Sequence, residues 1–129
     1  MGYTEQKKRE LEASFREGGL ISDTDTIQDS TKGDLWEFFS QIRGTYFFTE
    51  ERLVFIGGFG GMNNFSAPYN KITELKLCNV GALLRIMPTG ILVVYTDENG
   101  KSVKKRCSVM KRKDWLAFLS KKTGIATDK

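Results

Sequence analysis

The sequence predicts a mainly-β fold with some α content: about seven antiparallel strands closed by a C-terminal amphipathic helix, with an extra helix at the N-terminus. Three observations carry this. From Gly44 onward, β-branched and aromatic residues come in short runs punctuated by turn residues. The stretch "DENGK" holds Asn99-Gly100, a favoured tight-turn pair. The last apolar segment changes period, so that Trp115, Phe118 and Leu119 share one helical stripe.

Residues 4–17 read as the first helix, with Thr4 as cap, Glu5 and Gln6 in the first turn and Gly18-Gly19 as stop. Its apolar face is thin, chiefly Leu11 and Phe15 with Tyr3 before it, which suits loose packing or a partner. Residues 20–30 are polar and Thr-rich and fit an edge strand with turns. In "GDLWEFFSQIRG", Leu35, Phe38, Phe39 and Ile42 follow i, i+3, i+4, i+7 with Asp34 as cap, which favours a short helix over 34–42. Trp36, Phe38 and Ile42 also fit alternation, so a strand is the competing reading.

Residues 45–48 and 52–56 then form a hairpin around "TEE", with the Thr49 hydroxyl folded back onto a turn N–H. Further strands are expected at 64–69, 72–80, 82–87, 91–96 and 102–109. Leu75 with Leu77, and Leu84 with Ile86, make inward pairs; in the last strand Val103, Cys107 and Val109 face one way and Lys104, Arg106 and Ser108 the other. The final helix spans about 111–122, with Asp114 in its first turn, Lys121-Lys122 in its last and Gly124 as terminator. Burying its stripe contributes ~2 kcal/mol per side chain.

Composition narrows the function classes. The 129 residues suffice for one ordinary core, and 40% hydrophobic with 28% charged is a normal globular balance. No apolar run is long enough to span a bilayer. The N-terminus lacks the apolar region of a secretory signal, and Gln6 stands where a myristoylation motif needs Ser or Thr. The expected setting is cytoplasmic, with peripheral attachment to a membrane if the basic face serves that end. Cys78 and Cys107 read as buried free thiols, with a disulfide as the alternative.

There is no histidine, which removes the usual general base and the commonest metal ligand. "DTDTIQD" offers Asp23 and Asp25, but Ile27 and Gln28 stand where a calcium loop needs a ligand and a glycine. No metal and no cofactor are expected. The glycines of "GGFGGMNN" lack the Lys and following helix of a phosphate cradle, so they read as loop punctuation, with Phe59 over a barrel end. Cys107 lies beside Lys105 and Arg106, yet alternation sends it inward, away from nucleophilic use. No enzyme is expected.

One hairpin sharpens the fold assignment. Gly44, Tyr46, Phe47, Phe48, Thr49, Arg52, Leu53 and Phe55, then Pro68 and Ile72, follow the G-x-L-Y-L-T-x-x-R-L-x-F hairpin and P-x-x-x-I strand start typical of GRAM and bacterial PH-like domains. "KRKDWLAFL", with Arg112 and Trp115, resembles the helix that caps one end of their barrel. The chain thus resembles the GRAM or bacterial PH-like family, of pleckstrin-homology-like fold, over residues 20–123. Residues 1–19 stand as an N-terminal helical extension and 124–129 as a tail. The N-terminal helix and the glycine-rich loop at 57–61 depart from the pattern. The resemblance implies a non-catalytic binding module that takes peptides, a second copy or lipid.

Charge placement supplies the candidate sites. Residues 101–129 carry a net of +8 and residues 1–100 a net of −4. Lys104, Arg106, Lys111 and Arg112 are the candidates for an anionic partner such as membrane lipid, where each cation near the surface is worth ~1 kcal/mol. Phosphoinositide-binding PH domains concentrate cations on the first hairpin; here that segment offers only Lys32 and Arg43, separated by Asp34 and Glu37. Nucleic acid is disfavoured, because the basic run holds no aromatic before Trp115. Leu11 and Phe15 are the candidates for protein association. The expected function is a binding or assembly module acting through protein–protein association; the alternative is a peripheral adaptor that binds anionic lipid through the basic face at 101–113.

Overall fold

Helix α1 (Glu5–Glu17) starts where Thr4 accepts a hydrogen bond from the Lys7 N–H at 3.1 Å. The computed structural model describes residues 4–37, 40–58, 60–81 and 85–127. Seven strands follow α1: β1 (Ile27–Glu37), β2 (Ser40–Thr49), β3 (Arg52–Gly57), β4 (Phe65–Pro68), β5 (Ile72–Val80), β6 (Met87–Thr96) and β7 (Ser102–Val109). A 3-10 turn, Tyr69–Lys71, joins β4 to β5, and helix α2 (Arg112–Thr123) closes the chain.

The strands make one antiparallel sheet in the order β4-β3-β2-β1-β7-β6-β5. Alternation divides its side chains into two clusters. Leu35, Tyr46, Phe48, Leu53, Phe55, Ile91, Val93 and Cys107 fill the interior, where Leu116 and Leu119 of α2 join them. Phe47, Val54 and Ile27 face outward and are covered by Phe15 of α1 and Ile21. Burial on both faces explains why "YFF" and "LVF" are unbroken apolar runs.

Two expectations are overturned. The stretch 34–42 is no helix: it is the end of β1 and the start of β2, with Leu35 opposite Ile42 and Trp36 opposite Gln41. Residues seven apart are also cross-strand partners around a tight turn, so the two patterns coincide. Of the strand expected at 82–87, the described residues 85 and 86 lie in no strand. Arg85 turns with φ 49°, Ile86 is 71% exposed rather than inward, and β6 begins at Met87. Residues 38–39, 59 and 82–84, and with them Phe59 over a barrel end and the Leu84 pair, lie outside the described residues.

The glycine-rich segment is a loop between two antiparallel strands, as read. Gly58, Gly60 and Gly61 have φ of 69°, 64° and 74°, and the Asn64 side-chain oxygen accepts from the Gly57 N–H at 3.0 Å. Across β1, β2 and β3, Gly33, Gly44 and Gly57 stand in one row. A Cβ at Gly44 would strike the Ile56 carbonyl oxygen and come within 2.7 Å of the Phe55 ring. Trp115 of α2 stacks on Phe48, with centroids 4.1 Å apart and planes 5° from parallel.

Candidate functional site

Two of the predicted cations, Lys104 and Arg106, fall on the outer face of β7. Parity sends Lys104 and Arg106 outward, opposite Val94 and Leu92 of β6, while Lys76 of β5 flanks Leu92 from the other side. Leu92 and Val94 are nonetheless only 6% and 4% exposed. Long basic side chains suit such a place, because their stems lie along apolar surface and their charges stay in water.

Arg112, at the start of α2, reaches back to the β5–β6 hairpin. Its Nη1 donates to the carbonyl oxygens of Cys78 at 3.0 Å and Gly90 at 3.2 Å. Arg85 folds over beside Gly81, in the turn before β6. Burial pushes the Cys78 thiol pKa up, while the charges of Arg106, Arg112, Lys76 and Arg85 pull it down. Four cations from β5, the turn before β6, β7 and α2 therefore share one neighbourhood. The acids near it are Glu74, 3.2 Å from Lys76, and Asp34, opposite Ser108 and hydrogen-bonded by Gln41. The Lys76–Glu74 pair is about half exposed on both sides, so it neutralises little.

Of the predicted residues, the structure thus brings Arg106 and Arg112 together. Lys104 is exposed two residues further along the same face, and Lys111 is exposed in a left-handed turn (φ 55°) between β7 and α2. Lys76 and Arg85 were missed. Lys76 alternates with the inward Leu75 and Leu77, a signal already in the sequence; Arg85 lay hidden in an expected strand.

The association candidates sit differently. Phe15 is 4% exposed and meets Phe47 edge to face at 5.0 Å; Leu11 is half-buried against the same cluster. The buried Glu12 carboxylate accepts from the Ile27 N–H at 2.8 Å, and Arg16 donates to the Asp25 carbonyl at 3.0 Å. The helix is thereby locked onto the sheet, so the exposure expected of Phe15 is not found. Tyr3 lies outside the described residues.

Inside the barrel, Cys107 is buried and its thiol is pushed up to about 12, chiefly by burial. Both cysteines are free. Lys105 also faces inward, pairing with Glu37 at 2.8 Å and lying over the Phe65 ring, 5.4 Å from its centroid; strand parity alone would have found it. An open cleft of about 540 Å³ runs between the end of α1, β4 and the β6–β7 turn, lined by Leu20, Arg52, Phe65, Lys71 and Tyr95. Arg52 is occupied there, donating to the Leu20 carbonyl at 3.1 Å and the Ser66 hydroxyl at 3.0 Å. Among the described residues no three His, Cys, Asp or Glu side chains gather as metal ligands would, and no helix is long and apolar enough to cross a membrane.

No protein-family model and no curated protein matches the chain. Solved structures do. The C-terminal domain of an unknown protein from Leishmania infantum is 18% identical, with a TM-score of 0.62 over 88% of this chain and 97% of that one. The Vps36 N-terminal PH domain is 13% identical, with a TM-score of 0.57 over 81% and 83%. The hSac2 domain of the human phosphoinositide phosphatase Sac2 is 8% identical, with a TM-score of 0.56 over 99% and 92%. With the strand order and the capping helix, these likenesses establish a PH-like fold.

Proposed function

We propose that this chain is a non-catalytic binding module of the GRAM or bacterial PH-like type, which holds an anionic partner on the outer face of β5, β6 and β7. The observation that carries the reading is the register that sets Lys76 and Arg106 on either side of Leu92, with Arg112 bonded to the Cys78 and Gly90 carbonyls and Arg85, Lys104 and Lys111 exposed close by. Two free thiols suit a reducing, cytoplasmic setting. The test is a heteronuclear NMR titration with inorganic polyphosphate. Shifts confined to this face, and lost in a Lys76→Glu/Arg106→Glu variant, are expected. Shifts of equal size around Lys7, Lys8 and Arg9 on α1 would show diffuse attraction and sink the reading.

Protein association through α1 is the second reading. It would rest on Leu11 and the polar face of the helix, since Phe15 is engaged within its own chain. Sedimentation of wild type and a Leu11→Asp variant separates the two readings: equal mass in both removes α1 from assembly.

A further inference from the structure

Among the described residues, four large apolar side chains are conspicuously exposed: Met62, Ile86, Met87 and Met110. Met62 lies in the glycine-rich loop. The other three gather at one end of the β5-β6-β7 sheet. Met87 opens β6 opposite Val80, with Ile86 just before it. The register Gly90↔Ser108 brings the end of β7, and Met110 after it, to that same end. The Arg112 bonds to Cys78 and Gly90 hold segment 110–112 beside the β5–β6 hairpin.

Ile86, Met87 and Met110 are 71%, 40% and 81% exposed, which leaves a group of large apolar side chains in water at this end of the sheet. Cations surround it. Arg85, Lys111 and Lys113 are exposed within the same short segments, and Lys76 and Arg106 lie on the adjoining face. We infer that this end of the sheet is a membrane-inserting tip: Ile86, Met87 and Met110 enter the interfacial zone of a bilayer while the flanking Arg and Lys side chains meet anionic headgroups.

The inference rests on the proposed anion-binding reading and specifies its partner. An apolar group that projects from strand ends and turns suits a surface that yields around it, as the headgroup region does. A protein groove could accept the same apolar side chains, but protein interfaces are depleted in lysine, whereas anionic lipid rewards each cation near its surface.

The experiment is flotation of the full chain at physiological salt, with vesicles of phosphatidylcholine alone and of phosphatidylcholine with phosphatidylserine. Wild type is expected to float only with the anionic vesicles. An Ile86→Ser/Met110→Ser variant changes two exposed side chains, so its fold is retained, and its vesicle affinity should fall about tenfold or more. Its polyphosphate titration should stay that of wild type. Undiminished flotation of this variant overturns insertion and leaves the anion site standing. No wild-type flotation, with polyphosphate shifts intact, overturns the bilayer and points to a soluble anion or an acidic protein. Loss of both flotation and polyphosphate binding in wild type overturns the inference and the reading beneath it.

Discussion

The Arg112 guanidinium donates to the Cys78 carbonyl oxygen at 3.0 Å, and the same nitrogen reaches Gly90 at 3.2 Å. A predicted ligand-binding residue is therefore also a clasp between α2 and the β5–β6 hairpin. Removing it leaves two carbonyls short of a charged donor. Arg112→Ala should cost about 2 kcal/mol of stability, read as a shift in urea midpoint. Arg106→Glu, which breaks no such bond among the described residues, should leave the midpoint nearly unchanged. Equal losses would mean that Arg106 carries structure too.

Gly44 stands between Gly33 and Gly57, where a Cβ has no room against the Ile56 carbonyl and the Phe55 ring. The colliding atom is backbone and cannot swing away. Gly44→Ala should cost about 3 kcal/mol or prevent folding, as thermal denaturation would show. At Gly60, by contrast, no described residue beyond its chain neighbours lies within 4 Å of an added Cβ, and the obstacle is φ of 64°. Ala there should cost about 1 kcal/mol. Comparable losses at the two positions would argue against the close strand contact.

These glycines mark how far the sequence could be read. Hairpin glycines, alternation in β7 and the Trp115 stripe are local signals, and they led to the barrel and its cap. The stretch 34–42 failed because Leu35 and Ile42, partners across a turn, have the spacing of a helical face. The charge cluster was half legible. Arg106 and Arg112 lie close in sequence, whereas Lys76 joins them only through the β5-β6-β7 register and Arg85 only through the turn before β6. Phe15 was seen as apolar but not as buried, because its cover, Phe47 and Val54, looked like ordinary interior of a two-faced strand.

Ionisable groups in the barrel predict alkaline lability. The Cys107 thiol rises from 9.0 to about 12, chiefly by burial, and burial likewise raises the Tyr46 hydroxyl. The folded state thus holds these protons more tightly than the unfolded chain does. Their contribution is whole below pH 9 and is lost as pH climbs toward 12. Urea midpoints should fall from about pH 8 to about pH 10, and fall less in Cys107→Val, which has no proton to lose there. An equal fall in both proteins would assign the lability to the tyrosines and Cys78.

Phe15 decides what α1 is for. Its ring meets Phe47 at 5.0 Å within a cluster of Ile21, Ile27 and Val54, and it is 4% exposed. If the helix is part of the core, Phe15→Ala opens a void under it and costs about 3–4 kcal/mol, with the sedimenting mass unchanged. Glu12→Gln should cost less, because the amide oxygen can still accept from the Ile27 N–H. A helix whose face serves a second copy would behave the other way: Phe15→Ala would lower the mass and leave the monomer's unfolding midpoint in place. Sedimentation and denaturation of the same preparation separate the two, and the structure predicts loss of stability alone.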